Sequence, residues 1–169
     1  TGGAGFIGSH IVEELLRRKH AVRVLDNFST GKRENLAAVA SASGLEVLDG
    51  DIRDSEALVR AAQGVDGIFH EAALVSVPAT IEQPRLGFEI NARGTFNVFE
   101  AARVGRVRRV VYASSAAIYG DSTELPLAET ARPRPLSPYG LDKLYGEHLA
   151  ALYQSLHGLE TFALRYFNV

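Results

Sequence analysis

The stretch TGGAGFIGSH at residues 1–10, followed by AVRVL at 21–25 and then Asp26, decides the fold. Gly2, Gly5 and Gly8 repeat at intervals of three, as G-x-x-G-x-x-G. Small residues in such a turn let the backbone approach a pyrophosphate. The helix that follows offers free N–H groups at its N-terminus, and the last glycine allows close helix–strand packing. A glycine-rich turn without a ligand would share this pattern, so the context has to decide. A helix is predicted over 6–19, where Phe6, Ile7, His10, Ile11, Glu14 and Leu15 fall at helical spacing and Arg17, Arg18 and Lys19 gather at the C-terminal end. Asp26 closes the next strand, 24 residues after Gly2. A carboxylate there can accept hydrogen bonds from both adenosine ribose hydroxyls, and it would repel a 2′-phosphate, so NAD is expected rather than NADP. Asp51 follows the next strand and reads either as a cap on the adenine edge or as an exposed turn carboxylate.

Outward from this unit the βα rhythm continues. Further strands are predicted at 45–48, 67–70, 107–114 and 160–166, with helices at 55–62, 86–102 and 139–157. Strands alternating with helices imply an α/β fold with a parallel sheet and helices on both faces. One long irregular segment, 120–138, carries four of the six prolines, and long loops in compact α/β domains are usually functional or disordered.

The chain has 169 residues, one domain's worth, with 46% hydrophobic and 22% charged residues. No apolar run is long enough to span a membrane. A formal net charge of -2 gives no electrostatic footprint for nucleic acid. The absence of cysteine excludes a disulfide scaffold and thiol catalysis. His10, His20, His70, His148 and His157 do not cluster at metal-ligand spacing, so no metal is expected. No G-x-S-x-G elbow suggests a hydrolase. The chain lacks methionine and opens like the end of a strand, so it reads as an excerpt of a longer protein.

Tyr139 and Lys143 lie four residues apart on a predicted helix and share a face. An ammonium beside a phenol favours the phenolate, which would let Tyr139 act as a base near neutral pH. With 6 tyrosines in the chain and only Lys19, Lys32 and Lys143 as lysines, chance supplies about 0.1 such pairs. Ser114 and Ser115 end a strand, beyond whose carboxyl end ligands bind in open α/β sheets. Either hydroxyl could bond a substrate oxygen. For Ser114 a turn-capping role is the preferred reading.

With these residues in place, the sequence resembles the extended short-chain dehydrogenase/reductase family, and within it the NAD-dependent nucleotide-sugar epimerase/dehydratase branch. The resemblance runs along the whole chain through TGGAGFIGSH, DNFSTGKREN, GDIRD, HEAALVSVP, NARGTFNV, SSAAIYG, SPYGLDK and LRYFN. It implies a Rossmann-type doubly wound parallel sheet whose first strand, and most of whose C-terminal substrate domain, lie outside residues 1–169. It implies NAD held by Gly2, Gly5, Phe6, Ile7 and Gly8 at the pyrophosphate. Asp26, Asn27, Ser29, Thr30 and Gly31 would surround the adenosine ribose, and Asp51 and Ile52 the adenine. Ala72, Ala73, Leu74, Tyr139 and Lys143 would lie on the nicotinamide side. Asn91 would be a structural polar residue beneath the site. Ser115, Tyr139 and Lys143 would be catalytic, Tyr139 as the base. Ser76, Ser115, Tyr139 and Asn168 would contact a UDP-sugar substrate.

Dehydratases of this branch carry an acidic pair just after the catalytic hydroxyl, and the related decarboxylases a glutamate. Here Ala116 and Ala117 stand in that stretch, which leaves inversion at C4 of a UDP-hexose through a 4-keto sugar. The other readings are a dehydratase, decarboxylase or reductase of the same branch, or a non-catalytic NAD(P)-binding regulator. HEAALVSVP further resembles epimerases acting on N-acetylated UDP-hexosamines. Asp142 replaces the small hydroxyl residue frequent before the lysine, and it is expected to face solvent. The resemblance also implies a homodimer built on helices 86–102 and 139–157. A cytoplasmic location follows by default from the lack of an address signal. In the implied fold the first strand is central, so residues 1–169 alone are expected to be marginally stable and inactive.

Overall fold

A computed structural model describes residues 1–123 and 125–169. The opening helix α1 (Phe6–Arg17) starts at Gly5 and stops where Lys19 turns into the left-handed region at φ 64°. Its buried face is Gly8, Ser9 and Val12, while Phe6 is 64% exposed. The expected Phe6–His10 stripe therefore faces outward. The reason is Gly8, at which a Cβ would meet the Gly2 carbonyl oxygen at 2.1 Å. The bare backbone there brings the opposite side of the helix onto the chain.

Strand β1 (Val22–Asp26) follows and pairs in parallel with β2 (Leu45–Asp49), and a 3-10 helix (Arg33–Val39) lies between them. Helix α2 (Ser55–Ala62) is capped by the Asp54 carboxylate, which accepts from the Glu56 and Ala57 N–H groups. After β3 (Gly67–His70) come α3 (Val77–Glu82), capped by Ser76, and α4 (Pro84–Phe88). One π-helical turn (Glu89–Arg93) leads from α4 into α5 (Gly94–Val104). The expected helix 86–102 is thus part of a longer run with one widened turn. Strand β4 (Arg109–Ser115) starts two residues later than expected, because the Val107 N–H is bound to the Ala102 carbonyl at the end of α5. A 3-10 helix (Ala116–Tyr119) follows directly. Helix α6 (Pro138–His157) opens on a Ser137 cap with proline in its first turn and ends at Gly158 in the left-handed region. Strand β5 (Glu160–Tyr166) closes the fold.

All strand pairs are parallel, but they form two sheets, β1-β2 and β3-β4-β5. A larger core joins Leu25, Leu58, Val98, Phe99, Val110 and Leu149 between the strands and α2, α5 and α6. A smaller one joins Val12, Val24 and Leu36 under α1 and the first 3-10 helix. Helices therefore cover both faces of β1-β2. On β3-β4-β5 they cover one, and Phe69, Phe162 and Leu164 stand 37–50% exposed.

Between the sheets runs a slot of about 670 Å³ lined by Val24 and Leu25 on one side and Ile68 and Phe69 on the other. Thr1 and Gly2 bridge it at the C-terminal edge. The Thr1 nitrogen donates to the Phe69 carbonyl at 2.7 Å, the Glu71 N–H to the Thr1 carbonyl at 3.1 Å, and the Gly2 N–H to the Leu25 carbonyl at 3.0 Å. Among the described residues, no helix is long and apolar enough to cross a membrane.

Candidate active site

The glycine turn forms an open cradle. A Cβ at Gly2 would meet the Ala72 backbone nitrogen at 2.5 Å, so residues 1–3 pass hard against the segment after β3. At Gly5 a Cβ would meet only the Gly2 carbonyl oxygen at 3.3 Å, so that side is open. Gly5 caps α1 without a side chain, and no acidic residue lies in the first turn. The helix N-terminus, with Phe6, Ile7 and Gly8, therefore points uncompensated N–H dipoles at the opening, which suits a pyrophosphate.

Asp26 anchors the rim and is buried. Its Oδ2 accepts the Ala4 N–H at 2.9 Å and its Oδ1 the Phe28 N–H at 2.9 Å. Each oxygen keeps a second lone pair for a ribose hydroxyl. Asn27 ties this rim to the next strand end: its amide donates to Asp51 Oδ2 at 2.7 Å and its carbonyl accepts the Ser29 N–H at 3.0 Å. Arg53 pairs with Asp51 and, through that hydrogen bond, holds its carboxyl down at about 2. Asp51 is thus neither a bare turn carboxylate nor free for a ligand without competition. Ser29 and Thr30 are exposed, and Gly31 packs on Ala4. The Ile52 side chain lies in the core against Gly94, and its carbonyl accepts from Asn97, so it buttresses the rim.

Across the cradle, Ala72, Ala73 and Leu74 continue β3. Asn91, buried on the π-helical turn, grips Leu74 from both sides: Oδ1 accepts its N–H at 2.8 Å and Nδ2 donates to its carbonyl at 3.1 Å. The widened turn belongs to this contact, since a π turn re-aims side chains within a helix. Ser76 is exposed, and its hydroxyl accepts the Ala79 N–H as the cap of α3. Asn168 is exposed beyond β5.

Ser115, Tyr139 and Lys143 come together at the end of β4. Burial pushes the Tyr139 phenol up, and a hydrogen bond with the Ser115 side chain draws it back. Lys143 is buried, and Nζ donates to the Ala113 carbonyl at 2.7 Å. Burial pushes its ammonium down to about 8, opposed by the charges of Glu71 and Asp142. Nζ lies 5.7 Å from the Tyr139 ring centroid and 5.1 Å from that of Tyr112. This corrects the expectation that the lysine lowers the phenol in this state. One of the three ammonium N–H groups is held by a carbonyl, and desolvation is the largest influence on both groups.

The two serines also differ from expectation. Ser115 is the one that caps a turn, accepting the Ala117 N–H at 3.1 Å. Ser114 is buried and donates to Glu147 Oε1 at 2.5 Å. Asp142 is buried rather than solvent-facing, with Oδ2 lacking a partner among the described residues. Burial raises its carboxyl, and a hydrogen bond with the Asn91 side chain opposes the rise. The packing of α6 against the π-helical turn leaves that residue only 8% exposed. Glu71, Glu147, Arg165 and Tyr119 carried no spacing signal, yet all stand at this edge of the sheet. Among the described residues no cluster of histidine and acidic side chains could hold a metal ion.

An open glycine cradle at the start of α1 thus stands beside a segment that leads to a serine, a tyrosine and a lysine at the end of β4. Over residues 1–169 the chain matches the model of the NAD dependent epimerase/dehydratase family, and it belongs to that family. It is similar to UDP-glucose 4-epimerase from Streptomyces lividans, 38% identical over 100% of this chain and 51% of the relative. Among solved structures it is similar to UDP-glucose 4-epimerase from Thermus thermophilus in complex with NAD, with TM-score 0.90, 44% identity, and 98% of this chain and 53% of the other covered. A dTDP-glucose 4,6-dehydratase from Streptomyces venezuelae with NAD bound superposes with TM-score 0.92 at 36% identity, covering 97% and 53%. The fold is the Rossmann fold of these enzymes, and the cofactor of the family is NAD. The chain spans about half the length of the curated relatives it matches.

Proposed function

We propose that the protein carrying this chain is an NAD-dependent nucleotide-sugar 4-epimerase that inverts C4 of a UDP-hexose through a transient 4-keto sugar. The observation that carries the choice within the family is the turn after Ser115. Ala116 and Ala117 start the 3-10 helix there, so among the described residues no acid follows directly on the Ser115 hydroxyl to eliminate water. The nearby Glu147 carboxylate is engaged by Arg165 and Ser114.

On this reading Tyr139 takes the proton of the sugar 4-hydroxyl and Ser115 aligns that hydroxyl and relays the proton. Lys143 holds the nicotinamide ribose. Bound NAD supplies the acceptor for the C4 hydride and its return to the opposite face. Asp26 and the α1 N-terminus hold the adenosine and pyrophosphate parts. Ser76 and Asn168 contact the sugar nucleotide. Residues 1–169 form the cofactor-binding domain, with most of the substrate-binding domain outside them. Phe96, Leu141, Tyr145, Leu152 and Leu156 are exposed on α5 and α6, and this surface would pair two copies. A mass that stays monomeric at every concentration would refute the dimer.

The test is proton NMR of the full-length protein incubated with NAD and a panel of UDP-sugars. A product of unchanged mass inverted at C4 is expected. Tyr139→Phe should abolish turnover and leave NAD binding intact, and activity retained in that variant overturns the assignment. The dehydratase neighbour supports a second reading, for which the product would be lighter by water.

A further inference from the structure

Two elements, β4 and α6, carry Ser115, Tyr139 and Lys143, and one ion pair touches both. Arg165, on β5, uses every nitrogen of its guanidinium. Nε and Nη2 donate to the two carboxylate oxygens of Glu147 at 2.9 and 2.8 Å. Nη1 donates to the Tyr119 hydroxyl at 2.7 Å and to the Glu129 carbonyl at 2.6 Å. Glu147 also accepts from Ser114 at 2.5 Å. The side chains of the pair are only 23% and 13% exposed.

The placement of these partners is specific. Tyr139, Lys143 and Glu147 recur every four residues on one face of α6. Ser114 precedes Ser115 on β4, and Tyr119 ends the 3-10 helix that Ser115 caps. Glu129 lies shortly before Arg134, whose N–H is held by the Ile118 carbonyl at 2.8 Å. A planar guanidinium bound bidentately to a carboxylate fixes distance and angle together.

We propose that Arg165 and Glu147 are positioning residues: a brace that sets Ser115 against Tyr139 and pins residues 129–134 beside the site, so that a keto sugar formed there does not escape before hydride returns. The brace touches no reacting atom. Its role in retaining the intermediate rests on the epimerase reading, whereas its grip on the segment does not.

The test uses the full-length protein and the variants Glu147→Gln, Arg165→Met and Arg165→Lys. Turnover and reduced cofactor are followed with the UDP-sugar that the wild type converts, and amide hydrogen exchange over 116–136 is measured separately. Misplacing a reacting pair by about 1 Å can cost about a hundredfold in rate, and about tenfold corresponds to a smaller shift. A fall in kcat of that size is expected in the first two variants, with reduced cofactor accumulating as keto sugar leaves and exchange quickened in 116–136 but not in α1. Arg165→Lys, which keeps the charge and loses the fork, should recover only part. If a variant does not fold, Tyr119→Phe removes one strut and should move the same readouts less. Variants that melt earlier yet keep wild-type kcat, no excess reduced cofactor and unchanged exchange overturn the proposal. A wild type that epimerises no UDP-sugar, beside variants whose exchange still quickens, would instead sink the epimerase reading and leave the brace standing.

Discussion

Lys143 carries a charge in a place with little water, and that has a measurable sign. Its folded value of about 8 lies below the 10.5 of an ordinary lysine, with burial as the largest cause. Between those two values the unfolded chain binds a proton that the folded chain has released, so this group's contribution to stability rises with pH across that window. Below about 8 the buried charge is a cost. Unfolding by denaturant across the window should therefore show wild type gaining on Lys143→Met as pH rises, and a flat difference would contradict the burial. Asp26 makes a second prediction. Both of its oxygens accept backbone N–H groups, and asparagine offers one acceptor and a donor. Asp26→Asn should cost about 1–3 kcal/mol of stability and weaken NAD binding, read by denaturation and by calorimetry. The spacing of Tyr139 and Lys143 was legible in the chain because one helix carries both. Glu147 and Arg165 lie on different elements, so nothing local announces that they meet. Nor could periodicity tell which of two adjacent serines turns inward.

At the scale of elements, strands 67–70 and 160–166 and helix 55–62 were legible to the residue, since apolar runs and the Asp54 cap mark their ends. Helix α3 was not, because its six residues are too few for a helical period, and only the Ser76 cap and a first-turn proline define it. The widened turn at Glu89–Arg93 was hidden for a different reason: the run 86–102 keeps its apolar faces, and one extra residue per turn leaves no compositional trace. The approach of α6 to β4 depends on Gly146, where a Cβ would lie 2.4 Å from the buried Tyr112 ring. The ring is buried beside those of His70 and Phe99. Gly146→Ala should destabilise by about 1–3 kcal/mol or more, through overpacking, in urea unfolding. It should also displace Tyr139 and Lys143 on the same helix, lowering turnover.

Across residues 1–169 as a whole, the strand edges on either side of the slot between β1-β2 and β3-β4-β5 are the feature that matters most. Strand edges facing a slot leave N–H and C=O groups without ladder partners, and such edges template pairing with other chains. Residues 1–169 by themselves should be marginally stable and self-associate on refolding, which light scattering against concentration would detect. The expectation of one doubly wound sheet thus holds in topology and strand direction, while the described residues realise it as two sheets. The same division runs through the proposed cofactor site. Asp26 and Asp51 belong to the ends of β1 and β2, whereas Ser115, Tyr139 and Lys143 belong to β4 and α6. In residues 1–169 by themselves, a dinucleotide lying across both would work as a tie-rod over the seam, converting its binding energy into alignment of the two halves. AMP reaches only the first half. At equal saturation NAD should raise the melting temperature of these residues more than AMP does, because only the longer ligand spans the joint.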